Sequence, residues 1–63
     1  MIEVKFYYKD KFGEVHTGYQ YFNNPNKALR FMYKCKNSKT LRYSGDFTCD
    51  NPSDTEYILR RFR

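Results

Sequence analysis

Two Asn-Pro pairs, Asn24-Pro25 and Asn51-Pro52, stand 27 residues apart in this chain. Asn is a preferred helix N-cap because its side-chain oxygen accepts a backbone N–H that the first turn leaves without a partner. Pro suits the first helical position, where its missing N–H would have had no partner. Behind the first pair, Ala28, Phe31, Met32 and Cys35 fall at i, i+3, i+4 and i+7, one stripe of an α-helix. Lys34, Lys36 and Lys39 gather near its end, where the helix dipole favours cations. The spacing predicts a helix from about Pro25 to Lys36. Behind the second pair, Asp54 and Glu56 come first and Arg60, Arg61 and Arg63 last, the charge order that the dipole rewards. A second helix is expected there, against a competing reading of Thr55 to Phe62 as a fourth strand.

What precedes each pair reads as extended chain. From Met1 to Tyr8, Ile2, Val4, Phe6 and Tyr8 alternate with Glu3, Lys5 and Tyr7, the period of a half-buried strand. A polar patch, Lys9 to Gly13, leads into the aromatic run Glu14 to Phe22, which predicts a hairpin. A third strand is expected between Thr40 and Cys49, where Leu41, Tyr43, Phe47 and Cys49 alternate with Arg42, Ser44, Asp46 and Thr48, interrupted by Gly45. A shift of 27 residues lays Thr17-Gly18 over Ser44-Gly45, Asn23-Asn24-Pro25 over Asp50-Asn51-Pro52, and Phe31-Met32 over Ile58-Leu59. Each copy reads as strand, cap, helix.

The expected fold is a small α+β single domain over residues 1–63, in the order β-β-α-β-α. The crossover from second to third strand is right-handed in nearly all known cases and puts its helix on one sheet face. With the first strand central, every neighbouring pair is antiparallel. The expectation is therefore a three-stranded antiparallel sheet of order 2-1-3 with two helices on one face.

Size bounds what such a fold can do. At 63 residues and 7.7 kDa, a chain buries only about 60% of the surface its unfolded form exposes. Little room is left for a deep pocket. With 7 Tyr, 6 Phe and few aliphatic residues, rings are expected to form the core. The 2 cysteines, Cys35 and Cys49, are too few for a disulfide scaffold. Reduced thiols and a cytoplasmic location are expected, with no basic-then-apolar leader at the start. Apolar stretches run two or three residues, against about 20 for a bilayer span, so no membrane association is expected. Lys and Arg total 12 against 7 for Asp and Glu, a net charge of +5 that favours an acidic partner.

The face of the sheet away from the helices is the main functional clue. The first strand offers Lys5 and Tyr7 there, and the third offers Arg42, Ser44 and Thr48. The second strand admits two phases. Hydrophobicity buries Val15, Tyr19 and Tyr21, whereas matching the two repeat copies buries Gly18 and Phe22 and exposes Tyr19 and Tyr21. A one-residue change of phase moves every side chain across the sheet, so only one can hold. In the second phase Tyr7, Tyr19 and Tyr21 share a surface with Lys5 and Arg42, rings for stacking bases and cations for phosphates. The alternative is that tyrosines simply cover a two-layer sheet, ring inward and hydroxyl in water. A second cationic candidate is Arg60, Arg61 and Arg63 beside Lys34, Lys36 and Lys39, which reads as a patch for nucleic acid or an acidic protein, or as a solvated helix end.

Catalysis finds little support. His16 is the single histidine, and nothing in the spacing sets it beside a nucleophile and an orienting group. His16, Cys35, Cys49 and Asp50 are metal-ligand types, but no paired spacing holds any two at metal distance. Gly13, Gly18 and Gly45 are too far apart for a phosphate-cradling loop. No cofactor, no metal and no enzymatic activity are expected.

The reading is a small basic accessory protein that binds nucleic acid through a Tyr/Lys/Arg surface. The alternative is a protein-interaction module, a regulator or inhibitor of a larger host or nucleic-acid-handling protein. In size, and in a composition rich in Phe, Tyr, Ile, Lys and Asn, the chain resembles the accessory proteins of phages and mobile elements, without a shared motif. Neither edge strand carries a Pro, so a homodimer through an edge strand is a further expectation.

Overall fold

The computed structural model describes residues 1–62; Arg63, the last of the cations named above, lies outside them. The chain runs β1 (Ile2–Lys9), β2 (Val15–Phe22), α1 (Pro25–Asn37), β3 (Leu41–Cys49) and α2 (Pro52–Arg61). The sheet order is β2-β1-β3, antiparallel throughout. The segment after Asn51 is helical, so the fourth-strand alternative falls. Both caps form as their chemistry requires. Asn24 Oδ1 accepts the Asn26 N–H at 2.7 Å, and Asn51 Oδ1 accepts the Ser53 N–H at 2.9 Å.

The repeat is visible in the strand pairing. Ile2 pairs with Phe22 on one side and Cys49 on the other, Val4 with Gln20 and Phe47, and Lys5 with Tyr19 and Asp46. Each pair of partners is separated by the same 27 positions that separate the two Asn-Pro caps. Two strand-cap-helix units therefore flank β1 in equivalent registers, and their helices lie side by side. Tyr57 of α2 donates its hydroxyl to Asn26 Oδ1 at the start of α1, and Tyr33 of α1 donates to the Arg61 carbonyl at the end of α2. The equivalence breaks between Lys5 and Phe6, where β3 holds Ser44 and Gly45 as extra residues and Phe6 pairs with Tyr43. Gly45 takes φ of 91°, a conformation that costs a glycine little. Because the insertion is two residues long, the alternation beyond it keeps its phase.

Both helices cover the face that carries Ile2 and Val4. The buried cluster is Ile2, Val4, Ala28, Leu29, Met32 and Ile58, with Cys35 also buried. This corrects the expectation of a core built from rings. Phe22, Phe31, Tyr43, Phe47, Tyr57 and Phe62 pack around the cluster, each only partly buried. In a two-layer domain the space farthest from water lies over the middle strand between two helices, where compact aliphatic chains fit. Rings are long enough to reach the margins and shelter that centre. The helix stripe shifts for the same reason. Leu29 is buried because α1 meets both the sheet and α2, which widens its apolar arc. Phe31 moves to the rim, with ring centroids 5.0 Å from Phe6 and 5.5 Å from Phe22.

Candidate functional site

The pairing of β1 with β2 settles the phase that the sequence left open. Residues directly opposite in an antiparallel pair share a face. Phe6 faces Gly18 and Ile2 faces Phe22, so Gly18 and Phe22 lie on the helix side. Tyr19 and Tyr21 consequently project from the other face, opposite Lys5 and Glu3. They are 51% and 55% exposed, values that rule out a core role for either ring.

The uncovered face is thus made of three rows and a terminal pair. Tyr21, Glu3 and Thr48 form the first, Tyr19, Lys5 and Asp46 the second, and Thr17, Tyr7 and Arg42 the third. Lys9 and Val15 close the end. Lys5, Tyr7, Tyr19, Tyr21 and Arg42, all named from the sequence, are on one surface. Ser44 is not part of it, because its hydroxyl donates to the Lys5 carbonyl at 2.6 Å within the bulge.

The alternation of β1 bears on two further residues of this face. It puts Glu3 on the open face with Lys5 and Tyr7, and it puts Lys9 there once the strand extends one residue past Tyr8. Glu3 bears on Tyr21 directly: a hydrogen bond from the phenol to its carboxylate, reinforced by the negative charge, pushes Tyr21 above the ordinary value of 10.0. Asp46 stands across from Lys5. Asp50 adds a carboxylate near the Glu3 end, where it pairs with the Met1 ammonium at 2.8 Å. That pairing holds Asp50 below its ordinary 3.8. One end of the face is therefore acidic, and the end at Tyr7 and Lys9 is cationic.

Arg60 and Arg61 belong to a different surface. They sit in the last turn of α2, in the helix layer behind the sheet. Arg60 pairs with Glu56 one turn earlier, and the Arg61 guanidinium lies 4.2 Å from the Tyr57 ring centroid. Lys36, at the end of α1, reaches the Phe62 ring, so the ends of the two helices do meet. The sequence-derived residues thus divide between the open face of the sheet and the helix layer, with Arg42 reaching the cavity that Lys36 and Phe62 line at the helix ends.

His16 is engaged at the hairpin. Its Nε2 lies 2.7 Å from Asp10 Oδ2, and its ring is 5.3 Å from that of Tyr8. Asp10 Oδ1 accepts the N–H groups of Phe12 and Glu14 at 2.8 and 3.0 Å. The His16 hydrogen bond, followed by these backbone donors, holds the Asp10 carboxyl below its ordinary 3.8. Asp10, Glu14 and His16 bring ligand atoms within 4.8 Å of one another, the one such group among the described residues. It does not include Cys35, Cys49 or Asp50, the other residues of metal-ligand type named with His16. Asp10 is already committed to closing the loop, so the cluster has a sufficient structural role.

Both cysteines are free thiols. Burial pushes the Cys35 thiol above its ordinary 9.0, and Cys49 Sγ donates to the Asn51 carbonyl at 3.3 Å. No helix is long and apolar enough to cross a membrane among the described residues. No protein-family model, curated protein or solved structure matches the chain.

Proposed function

We propose that this protein is a non-enzymatic binder of single-stranded nucleic acid, and that the open face of the sheet is its binding surface. The observation that carries the reading is the phase of β2, which gathers Tyr19 and Tyr21 with Tyr7 on a face that neither helix covers. Tyr7 and Tyr19 are diagonal neighbours across two strands, about 7–8 Å apart at Cα. Tyr19 and Tyr21 are two residues apart along one strand, about 7 Å. Such spacing suits a strand whose bases are splayed onto separate rings, each stack contributing about 1–3 kcal/mol. Arg42 flanks the rings and supplies charge for the phosphates, and Lys5 stands between Tyr19 and Asp46 in the next row. The Asp10 and Tyr8 contacts of His16 support a structural rather than a catalytic histidine.

The test is a titration of single-stranded oligonucleotides by fluorescence anisotropy at several salt concentrations. Binding is expected to weaken with salt by roughly 0.7 log units in K per log unit of salt for each phosphate neutralised. Tyr19→Ala should weaken it about 5-fold or more by loss of one stack, with an unchanged unfolding midpoint. Failure to bind DNA or RNA at low salt removes the reading. Nuclease-resistant capture of an acidic protein would then point to the surface of α2, where Arg60 and Arg61 accompany Leu59, 64% exposed.

A further inference from the structure

We propose that a cleft at the Lys9 end of the open face holds a phosphate monoester, so that a bound strand is gripped by its phosphorylated end. The proposal rests on the reading of that face as a single-strand surface. The cleft has a volume of about 250 Å³ and lies where β1 ends, β2 begins and the chain from α1 enters β3. Tyr7, Lys9, Val15, Lys39, Thr40 and Arg42 are among its walls, and no Asp or Glu is among its lining residues.

Three cationic residues, Lys9, Lys39 and Arg42, thus line a space of small-ligand size. Among the described residues none of them is in an ion pair. The nearby acids are turned elsewhere. Asp10 is bonded to His16, which faces the helix side of the sheet opposite Tyr8, and Glu14 belongs to the same group. The Lys9, Thr40 and Leu41 amides are already engaged: the latter two donate to Ser38 Oγ, and the Lys9 N–H donates to the Thr40 carbonyl at 3.0 Å. That bond ties β1 to the start of β3 and fixes the separation of the walls. Recognition therefore falls to the ammonium groups of Lys9 and Lys39, the Arg42 guanidinium and the Thr40 hydroxyl.

The charge pattern along the face selects the end of a strand over its interior. Lys5 shares its row with Asp46, and Glu3 occupies the row of Tyr21, so positive charge in excess remains only at Tyr7, Arg42 and Lys9. A backbone diester carries one negative charge, whereas a monoester near pH 7 carries about 1.5 to 2. Three unpaired cations around one cavity match the monoester. Tyr7 stands directly beside Arg42, where it can stack the terminal base, and Tyr19 and Tyr21 lead away toward the acidic end.

The full chain is titrated by calorimetry with a thymidine trinucleotide bearing a 5′-phosphate, a 3′-phosphate or hydroxyls at both ends, and with thymidine monophosphate. One phosphorylated trinucleotide is expected to bind about tenfold tighter than the hydroxyl-ended one, the gain from one added charge-assisted hydrogen bond. In the Lys9→Gln/Lys39→Gln variant that ratio should fall to about two or less, because the remaining guanidinium serves a diester as well. Equal affinity of phosphorylated and hydroxyl-ended trinucleotides overturns the cleft proposal while leaving the face reading intact. A ratio that survives in the double variant overturns it too. Thymidine monophosphate binding as tightly as the phosphorylated trinucleotide replaces the strand end with a free nucleotide. If no oligonucleotide binds, the reading beneath it has failed.

Discussion

The ring of Phe6 occupies the space that a side chain at position 18 would need. A Cβ built on Gly18 would lie 2.6 Å from Phe6 Cζ, and that ring is itself wedged edge-on against Phe31 at 5.0 Å between centroids. Phe6 and Gly18 face each other across β1 and β2, so the missing side chain is what lets β2 lie in the phase that exposes Tyr19 and Tyr21. Gly18→Ala is expected to destabilise the fold by about 1–3 kcal/mol through overpacking. Pairing it with Phe6→Leu should recover part of the loss. Urea unfolding of the single and double variants checks both, and an unchanged midpoint in Gly18→Ala would show that the ring moves aside freely.

Glu3 sets a local penalty on the open face. It accepts the Tyr21 phenol and holds that group in its protonated form beyond the usual 10.0. Since the folded value is raised, the interaction contributes stability below pH 10.0 and loses it as pH rises through the folded value. Glu3→Ala should return Tyr21 toward 10.0 in a spectrophotometric titration. The same variant removes a carboxylate beside a stacking ring and should tighten oligonucleotide binding about 2- to 5-fold at low salt, as expected for one like-charge contact near the surface.

Asp10 makes the hairpin loop acid-sensitive. Its folded pKa is depressed below 3.8, first by the hydrogen bond with His16 and then by the Glu14 and Phe12 amides. A depressed carboxyl contributes its stability above the unfolded value and loses it as pH falls through the folded one. The Phe12 and Glu14 amide resonances should therefore move toward loop-disordered positions below pH 3.8, ahead of resonances in β1. Asp10→Ala should show those shifts already at neutral pH.

The two caps should contribute comparably. Asn24→Ala and Asn51→Ala each remove an acceptor for one first-turn N–H, at a cost of about 1 kcal/mol. Thermal unfolding of each variant and of the pair measures this. Because the caps belong to separate units, the double loss should be close to the sum.

Much of the architecture can be read from short stretches of chain. The Asn-Pro caps, the basic last turns and the two-residue alternation of β1 act over four residues or fewer, and each element appears where those signals stand. The central position of β1 follows because two units of the same order flank it antiparallel. The face chosen by β2 was a different matter. Val15, Tyr19 and Tyr21 are apolar enough to suggest burial, but the packing of Phe6 over Gly18, backed by Phe31, turns them toward water. That contact joins three elements, so no local pattern encodes it, and in the sequence the phase shows only through the 27-residue match of Thr17-Gly18 to Ser44-Gly45. The same holds for the core, where Leu29 and Ile58 displace rings because two helices and a central strand enclose a space suited to compact side chains. Local backbone chemistry determined the elements, and long-range steric fit decided which tyrosines face water.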